Sequence, residues 1–594
     1  MTNLRLLLRR RHRTVAVLLP TLITAALLAA PTPSTAGEQR IATIRSSVKG
    51  TDGKPYSVTN HLDRKAAGNG DRPREWLLAW GGADQKGAGD SPNPDFLAVI
   101  DVTRGSSSYG KVVNTVTIDS KFGNEPHHMQ YVWHKGQKVY AGGLLSDTTY
   151  VFDVARLPLV GLSGITLPHD TPCGSAPDAY SVLKDGTAYA TYMGGPDVTG
   201  PCTYTNGEVR YGNGYGGTPG EVVRLDQKGR VLAEAPAAMA KAEPSYCLNI
   251  PALPKASCAN PHGIAVREDL NRVVTSDFAE VRNMLNPETP PPPRVARETV
   301  RTFDVKNRNN PELVNVTRVP VGPRNDPGKF GIGIESYMVM ETVATNKPRN
   351  RGAFASTMSG GAVFYTPDIT AKKPRWREVF DDTTAFKSLF PTNTPKASSD
   401  GGSWLMVSPD DRYLFHTVLK AGPDSPAANK NEGMVYVLDI KKLLASGPEP
   451  KCSIDTFQEV GAGGAEPDCP ALVSALPVTD LTSGGPHWAA MDNLRPGPGG
   501  KYLETEKIRR LAVSNYFVKD TYSDGNHQVC MINVGPGGGL SLDRTFRDEN
   551  TRKPCVDFNR QVWPHGSRGA ARPHGVLFVA ADRDVLPGLA DAGR

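Results

Sequence analysis

The chain has 594 residues and a net charge of +7, and 39% of its residues are hydrophobic. This charge is mild for the length, and no lysine-rich run lies beside interleaved aromatic residues, so nucleic-acid binding is not indicated. Such a length usually suggests several domains, but a single repeat fold also reaches this size.

The first 36 residues have the three parts of an export signal. A basic run at residues 9–13 precedes an apolar stretch at residues 15–30, and Ser34-Thr35-Ala36 supplies small residues for a signal peptidase. The alternative is a membrane anchor, but the stretch contains Pro20 and is shorter than the roughly 20 residues that a span needs. No later segment is apolar enough to cross a bilayer. We predict a secreted protein without a membrane span after cleavage. The arginine cluster is also compatible with the twin-arginine route, which exports proteins already folded.

The cysteine pattern also indicates an oxidising compartment. The chain has an even number of cysteines, at positions Cys173, Cys202, Cys247, Cys258, Cys452, Cys469, Cys530 and Cys555. They predict four local disulfides between sequential neighbours, although spacing alone does not fix the connectivity. No C-x-x-C pair occurs, which disfavours a zinc knuckle or a thioredoxin-type site.

Seven pairs of short β-rich segments, each pair joined through turn-forming residues, follow one another along the chain. They are residues 76–80 with 96–101, 138–142 with 149–153, 187–191 with 221–226, 272–277 with 300–304, 353–357 with 362–366, 412–416 with 434–439, and 510–514 with 528–533. A many-stranded β-sandwich is the alternative. The recurring order favours an all-β, seven-bladed β-propeller. We therefore predict a signal peptide at 1–36, an N-terminal extension at 37–73, and a propeller with Gly/Pro-rich loop insertions at 74–594.

Histidine follows proline unusually often. Of 12 histidines, six do so: His127, His169, His262, His487, His565 and His574; with 50 prolines in 594 residues, chance predicts about one. Several of these pairs precede a predicted strand at comparable distances. A Pro-His at the head of several innermost strands would direct imidazoles at the central channel, since proline needs no ladder partner at a strand's first residue.

Convergent neutral imidazoles form a metal site, because each ring supplies one lone pair. Imidazole suits Zn, Cu, Fe and Ni, and an all-histidine site outside the cell favours copper, with iron second. The predicted ligand pool is His127, His128, His169, His262, His487 and His574. The alternative is that each Pro-His packs within its own blade. We leave out His565, expected near the channel entrance, and His416, expected to pack.

Two carboxylates are candidate catalytic residues. Glu335 lies in a blade without a Pro-His and is expected to accept a proton or orient a ligand. Asp277, in the run Thr-Ser-Asp-Phe, is a candidate for orienting a metal-bound histidine. A structural, fully hydrogen-bonded acid is the alternative for both residues.

Several segments, in order along residues 74–580, resemble the selenium-binding protein / methanethiol oxidase family. They are residues 125–130 (EPHHMQ) with 138–146 and 150–154, His169-x-x-x-Cys173, residues 260–263 (NPHG) with 275–278, residues 484–487 (GGPH) and residues 572–575 (RPHG). The resemblance implies a seven-bladed propeller that oxidises methanethiol with O2 through histidine-bound copper. It implies that about four or five of the six predicted histidines are ligands, and that an acid such as Glu335 moves protons.

The chain also departs from that family. It is longer than typical members, mainly through Gly/Pro loops, and a disulfide between Cys173 and Cys202 would prevent Cys173 from acting as a ligand or selenium-reactive thiol. The expected partners are a small thiol and O2, with no prediction of oligomeric state. The competing hypothesis is a non-catalytic extracellular metal- or selenium-binding propeller. A lactonase or quinoprotein dehydrogenase is disfavoured by the excess of histidines after proline in this chain. A lactonase relies on carboxylates around calcium, and a quinoprotein dehydrogenase relies on a bound quinone.

Overall fold

The computed structural model describes residues 40–68, 72–83, 93–119, 125–241, 243–284, 296–323, 338–358, 360–382, 401–421, 432–456, 459, 466–479, 483–518 and 525–587. The predicted export signal and Glu335 lie outside these residues. Within these ranges, no helix has both the length and the apolar character needed to span a membrane.

Seven antiparallel sheets form the blades of a β-propeller, which confirms the predicted fold. In chain order, the strands of the first three blades are β1 (Ile41–Lys49), β2 (Pro55–Asp63), β3 (Glu75–Ala83), β4 (Phe96–Asp101) and β5 (Val112–Ile118); β6 (Pro126–Met129), β7 (Val139–Gly143), β8 (Thr148–Asp153) and β9 (Gly161–Thr166); and β10 (Ser175–Val182), β11 (Ala188–Gly194), an inserted hairpin of β12 (Thr199–Thr203) and β13 (Val209–Asn213), β14 (Glu221–Leu225) and β15 (Val231–Pro236).

The next three blades each have four strands in sequence order. They are β16 (Pro261–Arg267), β17 (Arg272–Asp277), β18 (Thr299–Asp304) and β19 (Glu312–Arg318); β20 (Val339–Ala344), β21 (Ala353–Thr357), β22 (Ala362–Thr366) and β23 (Arg377–Asp381); and β24 (Gly401–Val407), β25 (Tyr413–Ala421), β26 (Glu432–Asp439) and β27 (Ala471–Pro477).

The last blade carries the remaining insertions, and the chain then returns to the first blade. Its strands are β28 (Pro486–Met491), an inserted hairpin of β29 (Leu494–Pro496) and β30 (Tyr502–Glu504), β31 (Arg510–Asn515), β32 (Gln528–Val534), β33 (Leu540–Leu542) and β34 (Val556–Asp557), followed by a hairpin of β35 (Val562–Trp563) and β36 (Gly566–Ser567), and by β37 (Ala571–Ala580). The short helices are α1 (Arg64–Ala67), α2 (Val281–Met284) and α3 (Lys441–Ala445), with 3₁₀ turns at Glu268–Leu270, Pro498–Gly500 and Asp582–Asp584.

The C-terminal strand closes the ring of blades. β37 pairs along its length with β3, so the first blade has the order β1-β2-β5-β4-β3-β37 and combines strands from both ends of the propeller. The predicted N-terminal extension contributes β1 and β2 to the outer edge of this blade. Closure leaves no unpaired strand at the seam, which removes an exposed sheet edge.

The repeated segment pairs predicted from the sequence are the second and third strands of each blade, such as β7 with β8 and β17 with β18. Four Pro-His segments, those of His127, His262, His487 and His574, form separate innermost strands. Strands such as β4 are buried throughout, because both faces of a blade pack against its neighbours. This packing holds the innermost strands rigidly around the channel.

All eight cysteines form the four predicted local disulfides, Cys173–Cys202, Cys247–Cys258, Cys452–Cys469 and Cys530–Cys555. Four disulfides are consistent with an extracellular or periplasmic protein. They also remove Cys173 as a candidate ligand, since its sulfur is bonded to Cys202.

Candidate metal centre

The innermost strands share a local irregularity that sends polar side chains into the channel. Each innermost strand has an interruption in its pairing with the next strand, as in a β-bulge, and β24 has two. These strands are β6, β10, β16, β20, β24, β28 and β37. The interruptions contain His127 and His128, Asp178, His262, Glu341, Ser403, His487 and His574, respectively. Proline precedes the interruption in β6, β10, β16, β28 and β37. Its ring fixes the backbone there, and its missing N–H is not needed for pairing with the next strand.

Four of these histidines come within bonding reach of one ion. One ring nitrogen from each of His127, His128, His262 and His487 lies within 4.8 Å of the others, and all four rings are buried. The Nε2 atoms of His128 and His487 are 2.7 Å apart. Two nitrogens bound to one ion at about 2.0 Å lie roughly 3 Å apart, so this spacing fits a shared metal.

His574 completes the cluster from the closing strand β37. Its ring centroid is 4.0 Å from that of His127 and 4.8 Å from that of His487. Both of its ring nitrogens are buried without a hydrogen-bond partner. A buried polar atom without a partner is costly, so the ring is suited to a ligand that the polypeptide itself does not supply.

Burial keeps four of the clustered imidazoles, those of His128, His262, His487 and His574, neutral. Loss of solvent lowers the pKa of His128 to about 3 and that of His262 to about 4. The same cause, with repulsion from the neighbouring rings, holds the pKa values of His487 and His574 well below the usual range. The rings therefore keep their lone pairs at neutral pH, as metal ligation requires.

Asp178 adds a buried negative charge to the histidines. Its Oδ1 atom lies 3.0 Å from His127 Nε2 and 3.2 Å from His128 Nδ1, and its Oδ2 atom lies 3.5 Å from His262 Nδ1. These contacts are close in distance but lack hydrogen-bond geometry, and both oxygens have no hydrogen-bond partner. Burial opposes ionisation, but the neighbouring histidines outweigh it and lower the pKa of Asp178 well below its usual range. The residue fits a centre that holds a cation.

Glu341 on β20 is a second carboxyl group beside the histidines, and its pKa is shifted in the opposite direction to that of Asp178. Burial raises its pKa well above the usual range, although a hydrogen bond from the Tyr131 hydroxyl, 2.7 Å long, opposes this rise. The other oxygen, Oε1, lies 3.4 Å from His262 Nδ1. Burial therefore favours the protonated form of Glu341 at the edge of the cluster, whereas Asp178 favours its ionised form.

Ser403 determines which nitrogen of His487 faces the cluster. Its hydroxyl donates to the His487 carbonyl oxygen at 2.9 Å and lies 2.7 Å from His487 Nδ1. Because the hydroxyl has one proton and uses it on the carbonyl, it accepts from Nδ1–H. This tautomer leaves the Nε2 lone pair directed at His128, the arrangement expected of a ligand oriented by a neighbouring group.

Aromatic side chains pack against the rings and limit their movement. Trp488 lies 4.4 Å from His128, Phe517 lies 4.7 Å from His487, and Phe278 lies 5.0 Å from His262, measured between ring centroids. Phe278 and Phe517 belong to an apolar cluster that also contains Met193, Met338 and Met340. The surroundings of the histidines are therefore apolar and water-excluding on this side.

Two sequence-based expectations need correction. His169 does not join the cluster: it is exposed, and its Nε2 atom lies 2.8 Å from Thr51 Oγ1. The reason is that Pro168-His169 follows the outermost strand β9 and does not begin an innermost strand. Asp277 is also absent from the cluster, because it ends the second strand β17 and its Oδ2 accepts from Arg301 Nε at 2.6 Å.

The other histidines that were set aside lie outside the cluster. His565 contacts Thr115 Oγ1 through Nδ1 at 2.8 Å. His416 contacts the Trp404 carbonyl within its own blade and Asp382 at the end of the preceding blade. Sequence reasoning missed Asp178, Glu341 and Ser403. Asp178 had a recognisable pattern, since Pro177-Asp178 occupies the position of a Pro-His, whereas no comparable motif marks the other two residues.

No protein-family model and no curated protein sequence matches the chain. Among solved structures, a hypothetical selenium-binding protein from Sulfolobus tokodaii is 16% identical with a TM-score of 0.52, covering 86% of this chain and 95% of that one. A functionally unknown protein from Desulfotomaculum acetoxidans (10% identity, TM-score 0.40, 79% and 98% covered) and a periplasmic gluconolactonase from Pseudomonas aeruginosa (12%, 0.42, 85% and 99%) are also similar. At these identities the likeness concerns the fold alone.

Proposed function

We propose that this protein is a secreted, copper-dependent oxidase of small thiols. The observation that carries the proposal is the convergence of five buried imidazoles, from four innermost strands, around the ionised carboxylate of Asp178. The sequence landmarks that resemble the methanethiol oxidase family coincide with four of these strands. The structural similarity to a hypothetical selenium-binding protein supports the shared fold.

The residues present fit copper. His127, His128, His262, His487 and His574 would hold the ion, since imidazole nitrogens are preferred ligands of copper. Burial favours the neutral form of the last four of these rings. When bound, copper supplies one-electron chemistry between a thiolate and O2. The proposed overall reaction is methanethiol + O2 + H2O → formaldehyde + hydrogen sulfide + hydrogen peroxide, in which carbon is oxidised and O2 is reduced.

The protein's own residues would orient ligands, hold charge and carry protons. Ser403 fixes the His487 ring, and Asp178 offsets the positive charge of the bound ion. Glu341 replaces the predicted Glu335 as the proton carrier that we propose, because its Oε1 atom faces the cluster and burial favours its protonated form. Phe278 and Phe517 would exclude water and favour a small, apolar substrate over a charged one.

The alternative is a non-catalytic propeller that binds metal or selenium. Selenium capture by a cysteine thiol is disfavoured, because all eight cysteines are in disulfides. A copper-storage protein would bind the ion through the same histidines. Only an activity measurement therefore distinguishes this hypothesis from the oxidase.

The test is metal analysis of the purified mature protein, followed by oxygen-electrode assays with methanethiol. Wild type is expected to contain copper and to consume O2, and the double variant His262→Ala/His487→Ala is expected to lose both properties. His169→Ala is the matched control, because this exposed histidine lies away from the cluster and its removal should change neither. Copper without turnover of any small thiol would refute the oxidase and support the storage protein.

A further inference from the structure

A second group of buried oxygen atoms lies between the second and third blades. Glu221 on β14 and Glu234 on β15 are diagonal neighbours on the same face of their sheet, because Val223 pairs with Glu234 and Glu221 with Pro236. Both residues are almost completely buried. Two carboxylates in such a place need compensation from a cation or from protons.

Both carboxylates converge on the turn Thr171–Gly174, which connects β9 to β10. A Cβ atom on Gly174 would lie 2.2 Å from Glu221 Oε1, so the side chain packs directly against this glycine. The backbone N–H of the adjacent Cys173 is a hydrogen-bond donor toward Glu234. The Cys173–Cys202 disulfide ties the turn to β12, two residues before Tyr204.

Five oxygen atoms in this region are buried without a hydrogen-bond partner. They are Thr171 Oγ1, Tyr204 Oη, Glu221 Oε1, Glu221 Oε2 and Glu234 Oε1. Tyr204 provides evidence that is independent of the two acids, because it belongs to the inserted hairpin. Its side chain is 2% exposed, and its hydroxyl is close enough for the charges of Glu221 and Glu234 to raise its pKa. Buried polar atoms in folded proteins usually have hydrogen-bond partners. These five oxygen atoms therefore indicate a bound partner that the polypeptide does not supply.

Neither a basic residue nor a shared proton accounts for the two carboxylates. In the described part of the chain, no lysine or arginine forms an ion pair with either one, and the nearby Arg210 bonds to Glu208 and to the Ala238 carbonyl. A proton shared by Glu221 and Glu234 would place a hydrogen bond between them, yet Glu234 affects Glu221 through its charge and not through a hydrogen bond. Burial raises the pKa of Glu221 well above its usual range and that of Glu234 to about 7, as expected for uncompensated acids.

We propose that Glu221, Glu234, Tyr204 and Thr171 form a binding site for a hard divalent cation, Ca²⁺, which fastens the inserted hairpin and the connecting turn to the third blade. The donors are all oxygen, including two carboxylates, which is the ligand set that Ca²⁺ prefers over softer metals. A secreted protein meets Ca²⁺ at concentrations that suit extracellular sites. The site shares no residue with the histidine cluster and does not depend on the proposed oxidase function.

The test uses the full mature protein after treatment with a chelator. Isothermal titration with Ca²⁺ is expected to give about one site per chain, and Ca²⁺ is expected to raise the unfolding temperature more than Mg²⁺ does. Glu221→Gln/Glu234→Gln should abolish both effects. Glu208→Gln is the matched control, since it removes an exposed carboxylate from the same hairpin.

Additional variants keep the proposal falsifiable. If the double glutamine variant does not fold, Tyr204→Phe, which removes a single donor, should weaken Ca²⁺ binding by about tenfold or less and leave the stoichiometry unchanged. His262→Ala/His487→Ala should bind Ca²⁺ as wild type does, which separates this site from the proposed oxidase. Absence of Ca²⁺ binding to wild type, or equal binding to the double glutamine variant, would overturn the proposal.

Discussion

Replacing Ser403 with alanine should weaken metal binding without removing a ligand. The hydroxyl holds His487 Nδ1 at 2.7 Å, and its loss leaves that nitrogen buried without a partner and the ring free to change tautomer. Removing a hydrogen-bond partner from a ligating histidine typically costs 10–100-fold in metal affinity. This range corresponds to about 1.4–2.8 kcal/mol, similar to the ~1–3 kcal/mol penalty for a buried unpaired group.

The assay is a copper competition titration of the metal-free protein against a chromophoric chelator, together with denaturant unfolding. Ser276→Ala is the control, because its hydroxyl bonds to the Met340 carbonyl and the Gly263 N–H, beside the cluster but away from any ring. Both variants should lose stability, and only Ser403→Ala should lose copper affinity. Equal copper affinity for Ser403→Ala and wild type would refute the proposed orienting role.

Three further predictions follow from the charges of individual groups. Asp178→Asn should weaken copper binding by about tenfold or more, because it removes the ionised carboxylate that lies 3.0–3.5 Å from one ring nitrogen of each of His127, His128 and His262. Unchanged affinity in the same titration would contradict this. Glu341→Gln should keep copper affinity within about threefold but slow thiol oxidation, since it replaces an acid whose protonated form burial favours by an amide that cannot release a proton. Full activity would exclude proton transfer by Glu341. Burial lowers the pKa of His565 from 6.5 to about 3. Between pH 6.5 and about 3 the unfolded chain therefore binds more protons at this residue than the folded chain does. As a result, the free energy of unfolding falls as the pH falls through this range. Wild type should therefore lose up to about 1.4 kcal/mol more per pH unit than His565→Gln between pH 6 and 4, and parallel denaturation profiles would contradict this.

The sequence was informative about the fold because each blade repeats the same local pattern. Two β-rich segments with turn-forming residues between them predicted seven blades, and the structure confirms them. The innermost strands were harder to recognise. β6 has only four residues and its pairing is interrupted, so it resembles a loop more than a strand in sequence.

The candidate site could be predicted where proline and histidine coincide at an innermost strand. His127, His262, His487 and His574 meet this condition, and His128 follows directly. His169 shares the dipeptide but follows an outer strand, and the dipeptide alone does not specify that position. Glu341 and Ser403 lack a preceding proline, and their roles depend on contacts across the channel with His262 and His487, which the local sequence does not encode.

The most direct test of the proposed metal centre is anomalous diffraction at the copper absorption edge from copper-loaded crystals of the purified protein. We expect one peak within bonding distance of nitrogen atoms from four or five of the rings of His127, His128, His262, His487 and His574. Copper-loaded crystals without a peak at these rings, or with copper bound only elsewhere, would contradict it.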